Sequence, residues 1–456
     1  MKPVVLWSDA LVYLLVIALV TFFYILRRDP QIRERWQQVF SSTLGMVAFT
    51  IILTYVLVAL LDSLHFRREL PPPEGLVTNE IFYDNKVTSV LDVALDGMGD
   101  RFERTYSAPF ALKSFAKQNM KDAQGRDIRD YPPLNHAGQH LADPADRWSD
   151  VAQKSVVAIL SGLLLAALIV LPQWWFLRRS PLPWYASWAT QAVIVTAGAW
   201  LVGISHYYHV LGTDLGGADV LYQSLKGVRT GVLLGTLATL IMLPIAVTLG
   251  VMAGYFKGWV DDVVQYLYTT LSSIPGILLI AASVLLFQVY IDINPDFFSL
   301  GIEKADARFI ALCFILGVTS WSTLCRLIRA ETLKISQLGY VQAAHAFGVS
   351  HTRILGRHIV PNVVHIILIT FVLDFSALVL AEAVLSYIGV GIDPSMGSWG
   401  NMINGARAEL SREPAVWWTL TGAFFFMFTI VLAANLFSDL VRDAFDPRTN
   451  VQRAEA

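Results

Sequence analysis

The stretch YVQAAHAFGVSHTRILGRHIVPN occupies residues 340–362 and lies between two long apolar runs. Its first half contains good helix formers, and Gly348 can adopt the left-handed conformation that ends a helix. Ser350 stands where a second short helix would begin, and Pro361 stands at the start of the next apolar run, where its missing N–H costs little. The pattern predicts a helix, a glycine elbow, a second helix and then an apolar segment.

The composition is that of a membrane protein. Of the 456 residues, 55% are hydrophobic and 15% are charged, whereas about 25% of a soluble domain is charged. The formal net charge of -2 gives no indication of a nucleic-acid partner. The fold class that we expect is an all-α polytopic membrane protein.

Apolar runs of about 20 residues are long enough to cross a bilayer as helices. Nine such segments are present, at residues 6–26, 44–61, 156–177, 184–205, 227–255, 263–290, 309–328, 360–388 and 417–440. Pro275 should kink the sixth of these helices.

Clusters of arginine predict the orientation, because cytoplasmic loops carry an excess of Lys and Arg. Arg27 and Arg28 follow the first segment, and Arg178 and Arg179 follow the third. The N-terminus is then outside, and the elbow and the C-terminus are cytoplasmic. Arg329, at the cytoplasmic end of the seventh segment, is expected to be a membrane-surface anchor.

Residues 62–155 form a polar stretch between the second and third segments. Aromatic residues such as Tyr83, Tyr106 and Phe110 favour a folded region there, although a disordered loop is the alternative. We expect a small extracytoplasmic domain of mixed or irregular structure, in which residues 108–120 could be helical.

The spacing around the elbow resembles the coupling motif of ATP-binding-cassette importer permeases: Glu-Ala-Ala, three residues, Gly, nine residues and an apolar end with Pro. The resemblance implies a cytoplasmic elbow that docks into a cleft of an ATPase subunit. Gln342 replaces the usual glutamate, which keeps a hydrogen-bonding group but loses the charge. The residues implied in this coupling are Gln342, Ala343, Ala344, Phe347, Gly348, Arg353, Arg357 and Pro361.

A second stretch, HVLGTDLGGADVLYQSLKGVRTGVLLG at residues 209–235, is similar to a segment of the dipeptide, oligopeptide and nickel permease subfamily. The resemblance implies an extracytoplasmic turn followed by an amphipathic helix on the membrane surface. Its candidate functional residues are His209, Gly212, Thr213, Asp214, Gly217 and Asp219. Val210 and Ala218 replace the proline and the arginine that are usual in that subfamily.

Further matches extend to Arg448, so the resemblance covers residues 206–448 and is to the second type of permease subunit in that subfamily. The expected divisions of the chain are a two-helix segment at 1–61, the extracytoplasmic domain at 62–155, two additional transmembrane helices at 156–205, a permease core at 206–448 with its coupling segment at 337–361, and a cytoplasmic tail at 449–456.

The resemblance implies a permease subunit of an ATP-driven importer in a bacterial inner membrane, with di- or oligopeptides as the substrate. No G-x-x-x-x-G-K-[ST] sequence is present, so the chain itself is not expected to be an enzyme or to hold a cofactor. ATP and Mg would be bound by two partner ATPase subunits. A homologous second permease subunit, an extracytoplasmic substrate-binding protein and membrane lipid are the other implied partners.

Other functions remain open from the sequence. Similar permeases carry nickel chelates or other small solutes. Two alternatives from different classes are a secondary transporter and an extracytoplasmic ligand sensor.

Two carboxylates, Asp374 and Glu382, fall inside the eighth apolar segment. Ionisable groups at membrane depth are costly, so both are candidates for the translocation path. The alternative is that each is buried and hydrogen-bonded within the helix bundle. The three histidines of the elbow stretch are six and seven residues apart, without a carboxylate or cysteine among them, which does not favour a metal site.

Overall fold

Long apolar helices make up most of the computed structural model, because a helix satisfies its backbone hydrogen bonds internally, as lipid requires. The structure describes residues 2–26, 30–70, 82–95, 97–121, 127–141, 143–294 and 301–445. The expected tail at 449–456 and the matched residues 446–448 lie outside this part of the chain.

Fifteen helices are present in the described residues. They are α1 (Trp7–Leu26), α2 (Pro30–Ser41), α3 (Thr43–Asp62), α4 (Val90–Ala94), α5 (Arg147–Leu177), α6 (Trp184–Ser205), α7 (Val220–Phe256), α8 (Gly258–Ser272), α9 (Gly276–Ile293), α10 (Gly301–Ile335), α11 (Gly339–Ala346), α12 (His351–Ile354), α13 (Val360–Ile388), α14 (Trp399–Arg407) and α15 (Trp418–Phe445).

Eight helical segments of the described chain are long and apolar enough to cross a membrane. They involve α3, α5, α6, α7, α9, α10, α13 and α15, which confirms the expected all-α polytopic class. The first predicted segment corresponds to α1, of which Trp7–Ile17 is a shorter apolar helix.

The sixth predicted segment, residues 263–290, is not one kinked helix. Helix α8 ends at Ser272 and α9 begins at Gly276, and Pro275 between them has ψ of 117°, outside the helical region. Pro275 cannot donate a backbone hydrogen bond, so the helix is interrupted there and the prediction of a single span is wrong.

The fifth predicted segment begins earlier than expected. Helix α7 starts at Val220 and runs for 37 residues to Phe256. Asp219 Oδ1 accepts hydrogen bonds from the backbone N–H groups of Leu221 (2.8 Å) and Tyr222 (3.2 Å). This is an N-cap, and it fixes the start of the helix. The turn therefore leads directly into a membrane-length helix, and the separate amphipathic surface helix that we expected is not formed.

The chain forms two compact units. The first comprises Met1–Val20, Phe40–Gly231 and Pro394–Ile430, and the second comprises Thr21–Val39, Val232–Asp393 and Val431–Ala456.

In the first unit, the polar stretch is mixed and largely irregular, as expected. Strands β1 (Lys2–Val4), β2 (His65–Leu70) and β3 (Phe82–Ser89) form an antiparallel sheet in the order β1-β2-β3. Strands β4 (Gln118–Lys121) and β5 (Asp127–Asp130) form a separate hairpin. Residues 108–120 are not helical, so that part of the prediction is wrong.

In the second unit, an apolar cluster lies beneath the elbow stretch. Its buried members include Tyr268, Cys325, Ile328, Ile335, Val341, Ile354 and Ile359. The cluster joins α8 and α10 to both arms of the elbow, so the stretch that follows α10 has an apolar base of its own.

Candidate functional site

The elbow has the predicted geometry. Gly348 has φ of +71°, the left-handed conformation. Its N–H donates to the carbonyl oxygen of His345 at 3.0 Å, and the N–H of Val349 donates to the carbonyl oxygen of Ala344 at 3.1 Å. These two bonds form a Schellman motif, which satisfies the last carbonyls of α11 and turns the chain.

The second arm differs from the prediction. Ser350 precedes α12, but its side chain makes no capping hydrogen bond, and its carbonyl oxygen accepts from the N–H groups of Arg353 and Ile354. A π-helical turn at Leu355–Ile359 then joins α12 to α13. Pro361 lies in the first turn of α13, directly after this π-helical turn. The arm and the membrane helix are thus one helical run, His351–Ile388.

The elbow has a buried side and an exposed side. Val341, Ile354 and Ile359 face the apolar cluster, and Ala344 is half-buried. The other predicted coupling side chains are exposed: Gln342, Ala343, Phe347, Arg353, Arg357 and Pro361. Phe347 is 86% exposed at the tip. An exposed aromatic side chain with nearby arginines has the composition of a protein-binding surface.

Two other features of the elbow concern its polar side chains. The Gln342 amide donates to the carbonyl oxygen of Gln337 at 3.2 Å, so the residue that replaces the usual glutamate bonds its own chain. His351 Nδ1 is 2.8 Å from the Tyr255 hydroxyl, and the His345 and His351 ring centroids are 5.6 Å apart. The ring of His358 contacts Tyr340 instead.

An ion pair that the sequence did not reveal joins α8 to α10, the helix that leads into the elbow. Arg329 donates through a terminal nitrogen to Asp261 Oδ2 at 2.6 Å. The hydrogen bond and charge of Arg329 lower the pKa of Asp261, although partial burial opposes this. Arg329 was expected to be a membrane-surface anchor; it instead has a specific carboxylate partner 68 residues earlier in the chain.

The two carboxylates of α13 differ in environment. Glu382 is buried and accepts a hydrogen bond from the Ser386 hydroxyl at 2.7 Å. This geometry fits the alternative in which the carboxylate is buried and hydrogen-bonded within the helix bundle. Asp374 is half-buried, and within the described residues no hydrogen bond or ion pair reaches it. Asp374 is therefore the stronger candidate for the translocation path.

The residues of the polar turn, 209–219, come together around a buried histidine. His209 Nδ1 is 2.7 Å from Asp219 Oδ2, and Nε2 is 3.4 Å from Glu103 Oε1. Burial alone would lower the pKa of His209, but the hydrogen bonds and charges of Asp219 and Glu103 raise it to about 9. Burial likewise opposes ionisation of Glu103, yet His209 and the backbone N–H groups of Asn135 and His136 lower its pKa.

Residues 103–107 cover this turn. Gly217 has φ of +77°, and a Cβ there would lie 1.8 Å from the Glu103 carbonyl oxygen, so only glycine fits. Gly212, also in the left-handed region, is held against Ser107 in the same way. Thr213 Oγ1 accepts from the Ser107 N–H at 2.7 Å.

The polar turn is therefore largely buried and is not the surface segment that we expected. His209, Thr213 and Asp219 are at most 3% exposed. Asp214 stabilises the tight turn by accepting from the Ala218 N–H at 2.8 Å. The sequence of this turn gave no indication of Glu103, because Glu103 lies 106 residues before its partner, His209.

Comparison with known proteins identifies the core. A family model described as "Binding-protein-dependent transport system inner membrane component" matches residues 246–451. The oligopeptide transport system permease protein OppC of Mycobacterium tuberculosis is 32% identical over 245 residues, which are 54% of this chain and 78% of that protein. The chain belongs to this family of transport permeases.

Two other relatives of this permease are similar over the same length. The glutathione transport system permease protein GsiD of Pectobacterium atrosepticum is 33% identical over 53% of this chain and 73% of its own. The dipeptide transport system permease protein DppC of Bacillus subtilis is 31% identical over 53% of this chain and 69% of its own. The matched range of the family model contains the elbow and α13, whereas the polar turn precedes it.

Proposed function

We propose that this permease subunit belongs to an ATP-driven importer of di- or oligopeptides. The names of three relatives, which specify oligopeptide, dipeptide and glutathione transport, support a peptide substrate over a nickel chelate or another small solute. Family membership also supports a permease over a secondary transporter or a ligand sensor.

The proposed mechanism rests on the elbow and on the helix that continues from it. Phe347, Arg353 and Arg357 are exposed, while other residues of the elbow are anchored in the apolar cluster. The helical run His351–Ile388 begins in the elbow and continues for 38 residues. A partner that moves the elbow would therefore move a membrane-length helix with it, as a rigid body.

The transport cycle follows from two states of the whole complex. ATP binding would bring two ATPase subunits together, and their clefts would carry the elbows of this chain and of a homologous second permease. The helices would then open the path to the other side of the membrane. ATP and Mg would act only on the ATPase subunits.

The orientation that we propose places the N-terminus and residues 62–155 outside the cell, with the elbow in the cytoplasm. It is supported by the arginine clusters at the ends of the first and third apolar segments. A soluble binding protein would deliver the peptide from the outside.

The test is reconstitution. The permease would be produced together with the ATPases, the second permease and the binding protein encoded by adjacent reading frames, and the purified complex would be placed in proteoliposomes. We expect the subunits to copurify and peptide uptake to require ATP. Uptake that follows an ion gradient without ATPase subunits would contradict the proposal.

A further inference from the structure

Three cationic side chains between His209 and Arg229 bind carboxylates from outside the region that resembles permeases. We call residues 2–20 and 62–155 the accessory region; both parts belong to the first unit. The contact of His209 with Glu103 is the first of the three.

The second contact is at Lys226, in the second turn of α7. Its Nζ lies 2.6 Å from Asp62 Oδ1 and 2.8 Å from Asp92 Oδ1. Asp62 is the last residue of α3, where the accessory region resumes, and Asp92 lies in α4, so the two carboxylates come from separate elements. The Ser89 hydroxyl, which bonds Asp62 at 2.7 Å, is also 3.2 Å from Nζ.

The third contact is at Arg229, one turn further along. A terminal nitrogen of its buried guanidinium lies 2.6 Å from Asp9 Oδ1 and 2.8 Å from the Ser8 hydroxyl. Asp9 is itself fully buried, and its other oxygen is 2.8 Å from His65 Nδ1.

These positions need carboxylates for a physical reason. Arg229 is almost fully removed from water and Lys226 is half-buried, and a buried charge is tolerated only when it is paired. Local sequence supplies no acid between Val220 and Gly231. The accessory region supplies Asp9, Asp62 and Asp92.

We infer that Asp9, Asp62, Asp92 and Glu103 are positioning residues that fix the accessory region to the polar turn and to the first turns of α7. The accessory region then moves with this end of α7 as one body during transport. It does not swing away from the turn as a hinged lid.

The first test uses a property of buried ion pairs. Removing one partner leaves an uncompensated buried charge and is strongly destabilising, whereas replacing both is often close to neutral. We expect Asp9→Asn to lower the thermal midpoint of the purified complex and to speed proteolysis of the accessory region at least tenfold. Asp9→Asn/Arg229→Met should recover most of that loss.

The control for this test is Lys86→Met. Lys86 pairs with Asp100 in the same region, but the two side chains are 56% and 68% exposed, so the substitution should change neither measurement. An Asp9→Asn protein that behaves like the wild type would overturn the inference. A double variant no better than the single variant would do the same.

The second test locks the contact. Ser107 and Thr213 are antiparallel neighbours that join the accessory region to the polar turn, so Ser107→Cys/Thr213→Cys is placed to form a disulfide. The native Cys313 and Cys325 are buried and should not interfere. A matched control is Lys113→Cys/Pro133→Cys, which would bridge two antiparallel neighbours inside the accessory region.

We expect both oxidised proteins to transport at the rate of their reduced forms. Loss of transport on oxidation of the Ser107–Thr213 pair, with recovery on reduction, would show that the contact must open and would overturn the inference. This measurement rests on the proposed function, whereas the unfolding and proteolysis measurements do not. A failure of ATP-driven transport in the wild type would thus be distinguished from a failure of the contact.

Discussion

Glu103 lies 3.4 Å from His209 although 106 residues separate them, and each is almost completely buried. The opposite ring nitrogen of His209 is 2.7 Å from Asp219, the residue that caps α7. One protonated imidazole thus connects an irregular segment of the accessory region to the start of a membrane-length helix.

This arrangement predicts how stability depends on pH. The pKa of His209 is about 9 in the folded protein, above its ordinary value of 6.5. The histidine therefore contributes fully to the free energy of unfolding below pH 6.5, and this contribution, roughly 3 kcal/mol, is lost as the pH rises through 9. The pKa of Glu103 is lowered, so its contribution to stability is lost only as the pH falls into the acid range. The two groups therefore affect stability in separate pH ranges.

The measurement is hydrogen exchange of the backbone amides of residues 209–222 in the complex between pH 6 and 10, corrected for the intrinsic exchange rate. Protection should fall with rising pH in the wild type. His209→Gln should start with lower protection and change little over the same range. Parallel curves for the two proteins would contradict the assignment.

A second prediction concerns orientation. Lys117 is exposed in the accessory region and Thr352 is exposed on the elbow, while both native cysteines are buried. Lys117→Cys should therefore react with a membrane-impermeant thiol reagent in intact cells, and Thr352→Cys should react only after permeabilisation. The reverse pattern would invert the proposed topology.

A third prediction concerns the tip of the elbow. Phe347 is 86% exposed, so Phe347→Ala should leave the thermal midpoint of the permease unchanged. It should weaken binding of the ATPase subunit about tenfold or more, because exposed aromatic side chains often dominate such interfaces. Titration of the ATPase against the permease in detergent would measure both affinities. Equal affinities would exclude Phe347 from the docking surface.

A fourth prediction concerns Asp374, which is half-buried in α13. If its carboxylate meets the terminal ammonium of a peptide, Asp374→Asn should lower uptake of free peptides at least tenfold while ATP hydrolysis without substrate is retained. An N-acetylated peptide has no ammonium group and is the matched control, because both proteins should transport it equally. An equal loss for both peptides would indicate a structural role.

Local features were predictable from the sequence because their causes are local. The elbow depends on Gly348, whose left-handed conformation ends α11 wherever the rest of the chain lies. Pro275 marked the right position, but the sequence did not show that the missing N–H would end α8 instead of bending it. The early start of α7 was not predicted, although its cause, the capping residue Asp219, is also local.

Contacts between distant segments were not predictable. Arg229 pairs with Asp9 across 220 residues, and strand β1 pairs with β2, which follows three helices later. A single sequence shows that these charges exist but not which of them meet. For the same reason the polar turn was expected at the surface, since the residues that cover it, 103–107, belong to a segment without a regular pattern.

The most direct test of the account is ATP-driven peptide uptake by proteoliposomes that contain the complex with Gly348→Val. A β-branched residue at φ of +71° is strained by about 1–3 kcal/mol, which should distort the elbow without disturbing the membrane helices. Gly339→Val is the control, because Gly339 is also exposed, has open space for a side chain and does not have a positive φ. We predict that Gly348→Val abolishes ATP-dependent uptake while Gly339→Val retains most of it. Wild-type uptake by the Gly348→Val complex would contradict the claim that this elbow couples ATP hydrolysis to transport.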